Sequence, residues 1–125
     1  MLRLRFPVVI LFALLVAAIA APALAEGPVP RGHLVLIGGG DKPPEVMRKF
    51  IELAGGKDAP IVAIPTASSE PDAAEYYQTL FRKTYGCTNA VSLDIRKKAD
   101  AERADWAALA RKAKGIFFGG GDQSR

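Results

Sequence analysis

The sequence predicts an α/β fold: a parallel sheet with helices on both faces. Three observations predict it. Short apolar runs at residues 33–37, 61–64, 90–93 and 116–118 alternate with stretches of helical periodicity. Apart from His33 and Ser92 the runs are continuously apolar rather than apolar at every second position, which suits strands buried on both faces, and the run at 90–93 is the weakest. Two of the runs end in three glycines, Gly38, Gly39 and Gly40 and then Gly119, Gly120 and Gly121, the kind of turn that passes a strand into a helix. Strand, helix, strand repeated in that order gives parallel pairing through right-handed crossovers. Four strands is short for such a sheet. The expectation is the N-terminal part of a larger domain, truncated after the fourth strand.

The elements follow in chain order. Residues 1–25 read as a secretory signal peptide: Arg3 and Arg5 form a basic start, residues 6–21 an apolar run, and Ala23-Leu24-Ala25 a small-x-small cleavage pattern before Glu26. The run is shorter than the roughly 20 residues that span a bilayer, and Pro22 breaks it, so no stable membrane anchor is expected. Residues 26–125 form the mature segment, expected to work in the periplasm or outside the cell. The whole chain has 125 residues, 17 Lys+Arg, 13 Asp+Glu and a formal charge of +4. Two of those positive charges belong to the leader. The balanced remainder argues against nucleic acid as a partner. Oligomeric state leaves no mark in the sequence.

In the mature segment, 33–37 is the first predicted strand. Pro43-Pro44 opens a helix to Ala54, with Val46, Phe50 and Leu53 on one face and Glu45 paired with Lys49 on another. Gly55-Gly56 stops it. Residues 61–64 are the second strand, closed by Pro65-Thr66. Ser69 and Asp72 predict a capped start for the next helix, lined by Ala73, Tyr77, Leu80 and Thr84 and ended by Gly86. Residues 90–93 are a third strand. Asp100 is the expected N-cap of a helix through Ala113, its buried stripe Trp106, Leu109, Ala110 and Ala113. Residues 116–118 are the fourth strand. Cys87, the single cysteine, excludes an internal disulfide and is expected to be buried.

Ligands of open parallel sheets bind at the carboxyl ends of the strands, where both glycine triplets lie. A dinucleotide site fails there, because Pro43 and Ser124 stand at the third glycine positions of the G-x-G-x-x-G pattern. No acidic residue closes the second strand to hold a ribose. A P-loop fails for lack of G-K-[ST]. Two readings remain: tight strand-to-helix turns, or bare backbone whose N–H groups face a developing oxyanion.

Four stretches in order, HLVLIGGG from His33, FIELAGG from Phe50, IVAIPTAS from Ile61 and GIFFGGGDQ from Gly115, resemble the N-terminal half of the cyanophycinases. The resemblance covers residues 31–125. It implies a serine peptidase related to aspartyl dipeptidase, with a fold like the class I glutamine amidotransferases. It implies action on cyanophycin, a polyaspartate carrying arginine on each β-carboxyl, with β-aspartyl-arginine released and neither metal nor cofactor used. Related members cut α-aspartyl dipeptides. Gly120 and Gly121 match the turn that offers backbone N–H to the tetrahedral intermediate. Gln123 matches the glutamine that holds substrate, and Asp122 beside it braces the turn on the same substrate side. Thr66 and the first glycine triplet line the same edge. Relatives carry Thr or Ser where this sequence has Gly119. The family's nucleophilic serine and histidine fall later than this sequence reaches. Ser68, Ser69, Ser92 and Ser124 occupy no G-x-S-x-G elbow, and His33 precedes the first strand. Tyr76 and Tyr77 read as helix packing. The competing functions are a related dipeptidase or amidotransferase-like hydrolase, and a noncatalytic binding module that uses the glycine turns.

Overall fold

The computed structural model describes residues 31–121. The predicted leader, Asp122, Gln123 and Ser124 lie outside the described residues. The chain divides after Gly32, and the account below concerns the part from His33 onward.

Three strands form the sheet. β1 (Ile61–Ile64) lies in the middle, with β2 (Ala90–Ser92) on one side and β3 (Gly115–Phe118) on the other. Both pairings are parallel, and Ile61 sits opposite Ala90 and Gly115. The crossovers β1 to β2 and β2 to β3 run in opposite directions across the sheet, so right-handed connection puts their helices on opposite faces.

The first predicted strand does not form. Residues 33–37 join no ladder, and Leu34 and Leu36 are exposed while Val35 and Ile37 are half-buried. A strand needs a neighbour's free N–H and C=O groups as well as apolar side chains. Among the described residues this segment pairs with neither of the two edge strands.

α1 (Pro44–Leu53) starts where the Pro43 carbonyl accepts the N–H groups of Val46 and Met47, each at 3.1 Å. Proline at the first turn costs nothing, since that N–H has no intrahelical partner. Its buried face is Met47, Ile51 and Ala54 with Phe50 alongside, one position round from the predicted Val46 and Leu53. Lys49 pairs with Glu52 at 2.8 Å, not with Glu45. Gly55 and Gly56 end the helix with positive φ, and their N–H groups return to Glu52 and Ile51.

α2 (Ala73–Thr79) runs into one π turn, Leu80–Thr84. Its face is Ala73, Tyr77 and Phe81; Phe81 is fully buried, whereas the predicted Thr84 is exposed. The wider turn rotates the chain after Leu80, which carries Thr84 off the buried face. The predicted cap at Ser69 is not made. Instead Ser68 Oγ accepts the Glu70 N–H at 3.2 Å, and Asp72 stands at the N-cap without a side-chain bond.

The predicted single helix from Asp100 splits into α3 (Lys98–Ala101) and α4 (Ala104–Lys112). Asp100 lies inside α3, where its carboxylate accepts the N–H groups of Arg96 and Lys97 at 3.0 and 2.9 Å. The expected buried stripe on α4 is only half-buried at Trp106 and Ala110, and Leu109 is exposed.

The core sits on the sheet face of Ile61, Ala63 and Phe117, against α1 and α2. Phe117 packs edge-on to Phe50 and Phe81, with ring centroids 5.8 and 5.5 Å away. Gly115 admits Phe50 and Ala54 so closely that a Cβ there would stand 2.9 Å from each. Cys87 is buried as expected, and burial pushes its thiol pKa up. On the opposite face Ile116 and Phe118 are exposed.

Candidate functional site at the carboxyl edge of the sheet

Every strand points its carboxyl end to one edge, so the loops after β1, β2 and β3 gather there. The turn after β3 is fixed by its first residue: the Gly119 N–H donates to the Ile64 carbonyl at 3.0 Å, extending the ladder one step beyond Phe118. Gly119 is buried, while Gly120 and Gly121 are exposed. Neither of the latter two donates its N–H to a described backbone carbonyl. The sheet therefore consumes one amide and leaves the next two open at the edge. Open amides on fixed backbone are the chemistry an oxyanion requires.

The turn is walled on two sides. A Cβ on Gly119 would lie 2.7 Å from the Tyr77 ring, and one on Gly121 would overlap the carbonyl of Ala67. Ala67 belongs to the loop after β1, which also carries the exposed Thr66. That loop is held by Arg96, from the loop after β2. Arg96 donates Nη1 to the Ser68 carbonyl at 2.7 Å and Nη2 to the Glu70 carbonyl at 3.0 Å, while its Nε meets Asp94. The same stretch is anchored by Asp100, whose carboxyl is held below its ordinary 3.8 by the two backbone N–H groups it accepts.

Beyond the first glycine triplet the chain reaches the Tyr77 ring by one side chain. Lys42, two residues past Gly40, places its Nζ 5.5 Å from the Tyr76 ring centroid and 5.3 Å from that of Tyr77. Tyr77 is buried as predicted, but Tyr76 is 51% exposed, so the two tyrosines do not share one packing role.

Of the sequence-predicted site, Gly121 stands against Ala67 in the loop that also carries Thr66, while the glycines of the first triplet are exposed and only Lys42 beyond them reaches Tyr77. Asp122 and Gln123 lie outside the described residues. No described serine hydrogen-bonds to His33, which is exposed. The Ser92 hydroxyl is turned to the Ala63 carbonyl, 3.5 Å away. Arg96 and Lys42 were not anticipated. Arg96 reaches carbonyls 26 and 28 residues away, a pairing that leaves no local signal. Lys42 could have been noticed as a cation directly after a glycine turn.

A groove of about 550 Å³ lies elsewhere, at the amino end of the sheet, between α1 and the π turn and lined by Arg48, Glu52, Lys57 and Tyr85 among others. It is remote from the glycine turns by topology, because Lys57 precedes β1 and the turns follow the strands.

The fold and this edge define an α/β protein that presents backbone amides, held by three converging loops, at the carboxyl ends of a parallel sheet. No family model and no solved structure matches the chain. Curated proteins do. The cyanophycinase of Synechococcus elongatus is 37% identical over 99 residues, covering 76% of this chain and 30% of that protein. The cyanophycinase of Thermosynechococcus vestitus matches to the same extent. That of Geminocystis herdmanii is 34% identical over 99 residues, 76% of this chain and 36% of its own length. Over three-quarters of its length the chain is homologous to the cyanophycinases, and it spans about a third of the curated relatives it matches.

Proposed function

We propose that the chain is the glycine-turn portion of an exported, serine-type peptidase that hydrolyses cyanophycin to β-aspartyl-arginine dipeptides. The observation that carries the reading is the similarity to three cyanophycinases over three-quarters of the chain. The open amides of Gly120 and Gly121 support it, since acyl transfer needs donors where the carbonyl oxygen gains charge. In this proposal Gln123 and Asp122 follow directly and take the substrate side. The nucleophilic serine and its base belong to sequence beyond these residues, as the resemblance implies. The class I glutamine amidotransferase-like fold is part of the same proposal. So is export through residues 1–25. No helix among the described residues is long and apolar enough to cross a membrane.

By itself the chain should bind but not cut. A serine needs a base within hydrogen-bond reach, and a base needs an orienting partner. No described serine is so placed. The test is to express the chain and assay it on cyanophycin granules by co-sedimentation and by release of dipeptide. Binding without release is expected, and Gln123→Ala should weaken binding about ten-fold, the scale of one hydrogen bond to a charged ligand. Failure to sediment with the polymer would sink the reading. Release of dipeptide, blocked by a serine-directed inhibitor, would move the nucleophile into this chain. Intact mass of the exported product should place its start near Glu26; recovery of the uncut form in the membrane would refute export.

A further inference from the structure

The carboxyl edge holds a feature that backbone amides do not explain. The Tyr76 and Tyr77 rings stand nearly perpendicular, at 77°, with centroids 5.1 Å apart. They form a two-walled corner, and the Lys42 ammonium sits within about 5.5 Å of both ring centroids. Aromatic faces attract cations within roughly 6 Å, so the corner is already acting as a cation receptor. Two further observations make it more than surface packing. Tyr77 is the residue against which Gly119 closes, so one wall of the corner is also a wall of the glycine turn. Tyr76, the other wall, is 51% exposed, so the corner opens to solvent. The cation in it is on a flexible stem, two residues past a glycine with positive φ, and joins none of the ion pairs among the described residues.

We infer that the Tyr76–Tyr77 corner is a binding site for the cationic end of a ligand's side chain, guanidinium in preference to ammonium, and that Lys42 is its resident occupant until that ligand arrives. A guanidinium is planar, stacks on aromatic faces and is more weakly hydrated than an ammonium, so it loses less on leaving water and displaces Lys42. Lys42 then swings into solvent, where an ammonium is well hydrated. The site stands on this geometry. Where it is joined to the peptidase reading, on which this extension rests, it becomes the subsite for the arginine side chain next to the carbonyl at Gly120 and Gly121.

The chain titrated with Nα-acetyl-arginine amide, which has no carboxylate, tests the corner. The readout is the ring signals of the three tyrosines by NMR, with the neutral citrulline analogue as control. Tyr76 and Tyr77 should shift and Tyr85 should not, and the citrulline analogue should do neither. Tyr76→Leu, at an exposed position that leaves the core intact, should weaken binding about five-fold. Lys42→Met should tighten it by about three-fold, because the competing cation is gone. Equal response to the citrulline analogue, a shift confined to Tyr85, or weaker binding in Lys42→Met would overturn the assignment. Co-sedimentation with cyanophycin, run in parallel, separates the two readings. Polymer binding untouched by Tyr76→Leu refutes the subsite and leaves the peptidase reading standing. Arginine binding without polymer binding supports the corner and counts against the peptidase.

Discussion

The two glycine triplets read identically as sequence and are glycine for opposite reasons. At the first, the backbone itself demands the residue. Gly39 and Gly40 have φ of 99° and 70°, and a Cβ on any of the three would meet no atom within 4 Å. At the second, none of the three has positive φ, and the demand comes from neighbours: the Tyr77 ring at Gly119 and the Ala67 carbonyl at Gly121. The first triplet is a conformational device and the second a spatial one. Only the second packs its backbone tightly against neighbouring groups, at Gly119 and Gly121.

The comparison can be broken by substitution. Gly121→Ala should have the largest effect, a loss of about 3 kcal/mol in urea denaturation, because the obstructing atom is backbone and cannot rotate away. A loss below about 0.5 kcal/mol would show the turn free to shift, and the spatial account would fall. Gly119→Ser comes next, at about 2 kcal/mol, since the buried Tyr77 ring must move. Combined with Tyr77→Leu, the serine should cost less than it does alone; strict additivity in that double-mutant cycle would refute the contact. Gly40→Ala should cost about 1 kcal/mol through left-handed strain, with Gly40→Asn recovering part of it. Gly120→Ala, which meets nothing within 4 Å, should stay within about 0.5 kcal/mol.

Acid sharpens the contrast further. Asp100 has a folded pKa below its ordinary 3.8, so its contribution is present above that value and is lost as pH falls through the lower folded value. Asp100 holds the stretch containing Arg96, and Arg96 holds the loop against Gly121. Asp100→Asn should therefore flatten the acid limb of the stability curve below about pH 4. An unchanged acid limb would remove Asp100 from that scaffold.

Much of this was legible in sequence where one residue type has one physical use. The runs at 61–64, 90–93 and 116–118 are strands, Gly55-Gly56 is a helix stop, and Cys87 is buried, because continuous apolarity, paired glycines and a lone thiol each have a dominant outcome. The run at 33–37 misleads because apolarity alone does not make a ladder; the backbone must also pair with a neighbour, and here it does not. Phe81 was missed in favour of Leu80 and Thr84, although it stands four residues past Tyr77, where the ordinary helical count already places it on the buried face. Arg96 and Lys42 act across loops on partners far away in sequence, and periodicity is silent about such contacts. The distinction between the triplets was equally hidden: three glycines in a row do not declare whether angle or room is being conserved.

The approach of Gly119 to Tyr77 has a consequence for how such sequences vary. Positions 77 and 119 share one volume, since a side chain at 119 would enter the space the Tyr77 ring fills. A lineage that places Thr or Ser before the Gly-Gly-Asp-Gln stretch is expected to carry a smaller or shifted side chain on the facing helix, and one that keeps the ring in place is expected to keep the glycine. The two positions should therefore change together across an alignment, although 42 residues separate them and neither by itself looks constrained.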